Sequence, residues 1–150
     1  MNKKSLLIIA LMALFAPLGL IGQTPEAVIV DGNNPFFDNF EGTECEWEFT
    51  NGDGTNAWWW GTVTCNGGTH SVYVSNDGGT SNAYSNYSNL TWVYFWKLIT
   101  IEEGGTYRIS YDWRNNGNGD NYLRVGLLPE SATLTAGSQY PTSDWVSLDG

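Results

Sequence analysis

Basic residues are scarce in this 150-residue chain: six Lys and Arg stand against 16 Asp and Glu, with one His. Such a surface repels phosphate backbones and anionic headgroups, which argues against nucleic acid and direct membrane binding. A Ser–His–Asp arrangement would have to use His70, which sits at a strand start beside a Gly-rich turn, and Gly-x-Ser-x-Gly is absent. No Walker-type or dinucleotide glycine loop precedes a helix, and no segment shows a helical period with caps. A glycosidase needs two carboxylates facing each other across a cleft. Glu44, Glu46 and Glu48 instead share one strand face and read as solvated surface, although one of them could pair with Asp112. The residue inventory therefore points away from an enzyme.

Long apolar runs are also missing, except at the start. Lys3 and Lys4 precede an apolar stretch from Leu6 to Ile21, broken by Pro17 and Gly19, with Gly22 at a plausible cut site. This order is that of a secretory signal, and the run falls short of the ~20 residues that span a bilayer. We assign 1–22 as a cleaved signal peptide, 23–35 as an N-terminal linker and 36–150 as one domain. No Cys follows the apolar run, as a lipoprotein would require. Removal of Lys3 and Lys4 leaves 16 acids against four bases. The expected location is the extracellular space or the cell surface.

What the chain has in abundance is aromatic. Eight Trp, eight Tyr and six Phe argue against a disordered acidic chain, because burying such rings offsets chain entropy. Their spacing has a period of two. Cys45, Trp47 and Phe49 alternate with Glu44, Glu46 and Glu48; Val72 and Val74 alternate with Ser71, Tyr73 and Ser75; Tyr107, Ile109, Tyr111 and Trp113 alternate with Arg108, Ser110, Asp112 and Arg114. Trp58 to Thr64, Leu123 to Leu127, and Trp145 to Leu148 add strands, and Leu90 to Ile101 reads as a strand buried on both faces. Consecutive Trp58, Trp59 and Trp60 cannot all point inward.

Gly- and Asn-rich clusters at 51–56, 65–68, 76–79, 102–105 and 115–121 separate these strands. The fold class is all-β, a two-sheet antiparallel β-sandwich. With about seven strands where a jelly roll has about eight, the domain reads as incomplete, lacking its last strands and belonging to a larger protein. Cys45 and Cys65, in an oxidising compartment, read as a disulfide that would constrain the unfolded chain by roughly 3 kcal/mol. A two-thiol metal site is the weaker alternative, since no nearby His completes it.

The runs FFDNFEG (36–42), WWWGTVTCNGGTHSVYVSNDGG (58–79) and ITIEEGGTYRISYDWRNNGNGDNYLRVGLLPES (99–131) resemble bacterial cleaved-adhesin and choice-of-anchor jelly-roll modules, related in architecture to MAM domains and galactose-binding-like sandwiches. The resemblance implies a jelly roll in a secreted or surface-attached protein that serves adhesion or substrate recruitment, often with a structural calcium ion. It also implies a metal near Asp38 and Glu41.

Oxygen-bearing side chains at alternate positions of 51–55 (Asn51, Asp53) and 116–120 (Asp120) could also wrap a hard cation such as Ca2+, although both loops are ordinary hairpin turns as well. For sugars, Trp59, Tyr84, Trp92 and Tyr94, beside Asn82, Asn86 and Asn89, are candidate stacking rings; the simpler role for any one of them is core packing. The function expected is a binding or adhesion module for an extracellular glycan or protein. A ligand-free structural spacer, or an ancillary domain of a secreted protease or glycoside hydrolase, is the alternative.

Overall fold

The computed structural model describes residues 27–85, 92–102, 106–115 and 123–141, together with the strand backbone of 4–11 and 146–147. Among these residues the fold is all-β. Eight strands run in chain order as β1 (Lys4–Leu11), β2 (Val28–Val30), β3 (Glu48–Thr50), β4 (Ala57–Gly61), β5 (Ser71–Ser75), β6 (Tyr94–Ile101), β7 (Arg124–Pro129) and β8 (Val146–Ser147). They form a six-stranded sheet, β2-β6-β1-β7-β8 with β3 also on β6, and a β4-β5 hairpin. All pairings are antiparallel except β2 with β6.

Strand β6 organises the molecule. One edge pairs with β1 along its whole length, from Lys4↔Ile101 to Leu11↔Tyr94. The other edge is shared end to end: β3 takes Tyr94–Trp96 and β2 takes Ile99–Ile101. Side chains of β6 and of the two residues leading into it alternate between two cores. Trp92 and Tyr94 join Leu128 on one face, with Trp96, Ala132, Leu134 and Tyr140 packed around them. Val93 and Phe95 join Trp58 and Val74 on the other, flanked by Phe40, Trp47, Phe49, Val72, Tyr84 and Leu123. The second core joins the large sheet to the hairpin, which makes the arrangement a sandwich. The first is roofed by the 130–140 loop: Gly137 N donates to Trp92 O at 2.7 Å, and the Tyr94 hydroxyl donates to Ser138 O and accepts from Tyr140 N.

Several strands are shorter than the period of two suggests. The Glu44–Phe49 run enters the sheet only at Glu48; Lys97 Nζ, not a neighbouring strand, takes Glu46 O at 3.2 Å. The Trp58–Thr64 strand stops at Gly61, where the chain turns and Ser71 Oγ donates to Thr64 O. The segment expected as a strand from Tyr107 to Trp113 joins no ladder among the described residues and is largely exposed. Side chains hold it against the hairpin instead: Asn66 Nδ2 donates to Asp112 Oδ2 at 2.9 Å, Arg114 to Thr64 Oγ1 at 2.8 Å, and the Tyr84 hydroxyl to Asn115 Oδ1 at 2.9 Å. Two strands also lie where none was expected. Val28–Val30, inside the assigned linker, pairs with β6, and Lys4–Leu11, inside the assigned signal peptide, lies at the centre of the sheet.

Phe95 is the most connected ring of the second core. Its centroid lies 4.7 Å from Trp58, 5.0 Å from Trp47, 6.3 Å from Phe49 and 6.4 Å from Phe40. Phe95→Ala should lower unfolding free energy by about 3–5 kcal/mol in a urea titration followed by tryptophan fluorescence. A loss below about 1 kcal/mol would mean that these rings do not close on one another as described.

Candidate functional site

The FFDNFEG run crosses from the linker to the hairpin, and each polar side chain in it has a local task. Asp38 accepts Phe40 N at Oδ1 and Trp47 Nε1 at Oδ2, both at 2.7 Å. Phe40 has a φ of 62°, an uncommon conformation for a residue with a Cβ. Its surroundings hold it there: the ring packs on Trp47 and Phe95, and its carbonyl accepts Trp60 Nε1 at 2.8 Å. The turn so made sends Glu41 to the β4–β5 connection. There its carboxylate accepts Thr69 N at 2.9 Å, Thr69 Oγ1 at 2.7 Å and His70 N at 2.8 Å. His70 lies 3.8 Å away through Nδ1 and stacks on Trp60 at 4.4 Å. These donors, the Thr69 hydroxyl foremost, hold the Glu41 carboxyl down at about 2. A Cβ on Gly68 would stand 2.4 Å from Glu41 Oε1, and Gly68 has a φ of 72°, so the clamp requires glycine.

Behind this turn lies a cavity of about 200 Å³, lined among others by Phe36, Phe37, Asp38, Glu44, Cys45 and Trp60. Phe37 at its edge is 80% exposed. Lys97 is 5% exposed; its ammonium donates to Glu46 Oε2 at 2.8 Å and lies 5.5 Å from the Phe36 ring centroid. This charge is tolerable because it is paired and hydrogen-bonded. The pairing in turn lowers the Glu46 carboxyl below its ordinary value. The cavity is thus lined by aromatic side chains, Phe36, Phe37, Phe40 and Trp60, and by the acids Asp38, Glu44 and Glu46.

The residues proposed as cation ligands do not converge. Asp38 and Glu41 each spend their carboxylate oxygens on N–H or O–H donors, which a cation would have to displace. Asn51 pairs with the β4 backbone, its Oδ1 accepting Trp58 N at 2.8 Å and its Nδ2 donating to Trp58 O at 3.1 Å. Asp53 is exposed, and Asp120 lies outside the described residues. Among the described residues no three His, Cys, Asp or Glu cluster as a metal site would need.

The four candidate sugar-stacking rings are likewise dispersed. Tyr94, 1% exposed, and Trp92 are buried under the 130–140 loop, which corrects their assignment as surface rings. They fill the core because β6 is covered on both faces. Tyr84 packs on the second core and donates to Asn115. Trp59, on the outer face of the hairpin, is 37% exposed and rests against Gly79, where a Cβ would stand 3.0 Å from the indole. Asn86 and Asn89 lie outside the described residues. Among the described residues Trp113, 59% exposed, and Phe37 are the rings that present most surface, and neither was singled out from the sequence as a ligand contact. Phe37 could have been, since it adjoins Phe36 and neighbours in extended chain face opposite ways.

Cys45 and Cys65 are not joined in this structure, a correction to the disulfide expected from compartment. Burial pushes the Cys45 thiol up, which disfavours the reactive thiolate. The exposed Cys65 donates to Gly68 O at 3.4 Å.

The fold and the site define an all-β sandwich with an aromatic, acid-edged cleft. No protein-family model, no curated protein and no solved structure matches the chain.

Because the Glu41 carboxyl is depressed from 4.5 to about 2 by folding, its contribution is fully present above the unfolded value and is lost as pH falls through that window. The thermal midpoint should therefore drop between pH 5 and pH 2, and Glu41→Gln should flatten that drop while lowering the midpoint at pH 7. Calorimetry in calcium and in chelator should show the same loss for Glu41→Gln; a loss confined to calcium would restore the metal assignment.

Proposed function

We propose that this chain is a secreted or surface-attached recognition module of jelly-roll type that binds an extracellular glycan or protein. The observation that carries the reading is Phe37, 80% exposed at the edge of the cleft that it lines with Phe36, Trp60 and Glu44. Covering this ring on binding would remove its apolar surface from water, and phenylalanine is among the aromatics enriched at contact surfaces. The cleft is smaller than the roughly 300–1,000 Å³ of drug-sized pockets. Its size suits a single pyranose ring or one side chain of a larger partner. With 16 acids to six bases, the chain favours neutral or basic partners.

Two further features support the reading. The motif order shared with cleaved-adhesin modules argues for an adhesive role, and the Lys3-Lys4 start with its apolar run argues for export. Glu41, in the turn beside the cleft, is held ionised by its donors and is poorly suited to deliver a proton near neutral pH, which supports a binding role over acid catalysis there.

The test is a glycan array and an array of basic and neutral peptides, probed with the parent protein and with Phe37→Ala. The parent should retain specific ligands, and Phe37→Ala should weaken them by about tenfold or more without moving the thermal midpoint. Retention of every ligand by Phe37→Ala would remove the cleft from the reading. An array without hits for the parent would leave the module without a ligand of these classes.

A further inference from the structure

Strands β6 and β7 do not pair with each other; β1 lies between them, matched to β6 over eight residues and to β7 over six, from Leu6↔Pro129 to Leu11↔Arg124. Yet Lys4–Leu11 belongs to the segment whose charge and apolar run read as a signal for export. Cleavage of that segment would strip a central strand and leave two facing edges without hydrogen-bond partners. We infer that the interval between β6 and β7 is a strand-accepting site, held by Lys4–Leu11 in the uncleaved chain and taken in the exported protein by an extended apolar strand of a partner polypeptide. The inference rests on the export reading and is independent of the Phe37 cleft.

The walls of the slot set the chemistry of the occupant. Tyr94 and Leu128 are buried on one face, and Phe95, Ile99 and Val125 on the other. An amphipathic strand would therefore lay polar groups against one core or the other, at the cost of unsatisfied desolvation. The site calls for a run that is apolar on both faces, uncharged over about six residues and antiparallel to both neighbours. Leu6–Leu11, with the sequence LLIIAL, has that character. Among the described residues from 27 onward, the other uncharged apolar runs, Ala57–Gly61 and Tyr94–Phe95 with the residues leading into it, are already paired in β4 and β6, so a second copy would have to open its own sheets to lend one. The partner strand is recognised by main-chain hydrogen bonds and apolar side chains, as in strand addition generally.

The experiment begins with the full chain expressed in a secreting host and the exported protein identified by N-terminal sequencing and intact mass. That protein is titrated with a fluorescein-labelled peptide of residues 4–11 and with the same peptide carrying Ile8→Pro, which loses a ladder donor. Expected are loss of residues 4–11 on export, saturable binding of the parent peptide with a rise in thermal midpoint, and binding of the Ile8→Pro peptide weaker by about tenfold or more. Retention of residues 4–11 in the exported protein would overturn the inference through its export step. A processed, folded monomer indifferent to the peptide would overturn the slot itself. So would a processed protein that dimerises and that the peptide does not dissociate.

Discussion

Burial of β6 on both faces is the constraint on which the remaining structure depends. A strand covered on one side needs one complementary layer, whereas β6 needs two, and the chain makes them by different means. The β4–β5 hairpin brings Trp58 and Val74 to Val93 and Phe95. An irregular loop brings Ala132, Leu134 and Tyr140 to Trp92, Tyr94 and Leu128. Lys97, facing the side of Phe95, is the one charge admitted to this strand's buried set, and it reaches Glu46 to be neutralised. β3 begins at Glu48, opposite Trp96; beyond it the edge of β6 belongs to β2 from Ile99, and Lys97 takes the Glu46 carbonyl.

The polar side chains act mainly as fasteners. Glu41 ties the FFDNFEG turn to Thr69 and His70. Asp77 closes the 76–81 loop on Ser75 and Ser81, which together hold its carboxyl down at about 2. Asn56 and Asp112 each bond to a segment distant in the chain, and Asn51 closes the short 51–58 turn on Trp58. Asp38, Glu41 and Asn51, which look like cation ligands on paper, are thus spent on backbone and side-chain partners. Acidic loops of this kind satisfy backbone donors that have no ladder to join.

Alternation made the sandwich legible, because period two is a direct imprint of burial. The double coverage of β6 showed in its nearly continuous apolar run, and the division of Trp58 from Trp59 followed from strand geometry. Three things were not legible. Tyr107 to Trp113 carries the same alternation as a true strand, but pairing depends on a neighbour, which no local pattern reveals. Tyr94 and Trp92 have the composition of sugar-stacking rings, and only the path of the 130–140 loop decides that they are covered. Asp38 and Glu41 have the chemistry of metal ligands, and apart from Phe40 N their donors come from Trp47, Thr69 and His70, outside the turn that carries them. The Lys4–Leu11 segment shows a further limit: an apolar run that suits a signal also suits a strand buried on both faces.

The 130–140 loop has no strand of its own, yet its backbone is fastened to the middle of the sheet. Gly137 N is bonded to Trp92 O, and the Tyr94 hydroxyl bridges Ser138 and Tyr140. The Gly137 and Tyr140 amides are therefore not free to open one at a time as those of a surface loop are. They belong to the same cooperative unit as the Tyr94–Leu128 core, so their hydrogen exchange follows unfolding of that core and not local fraying.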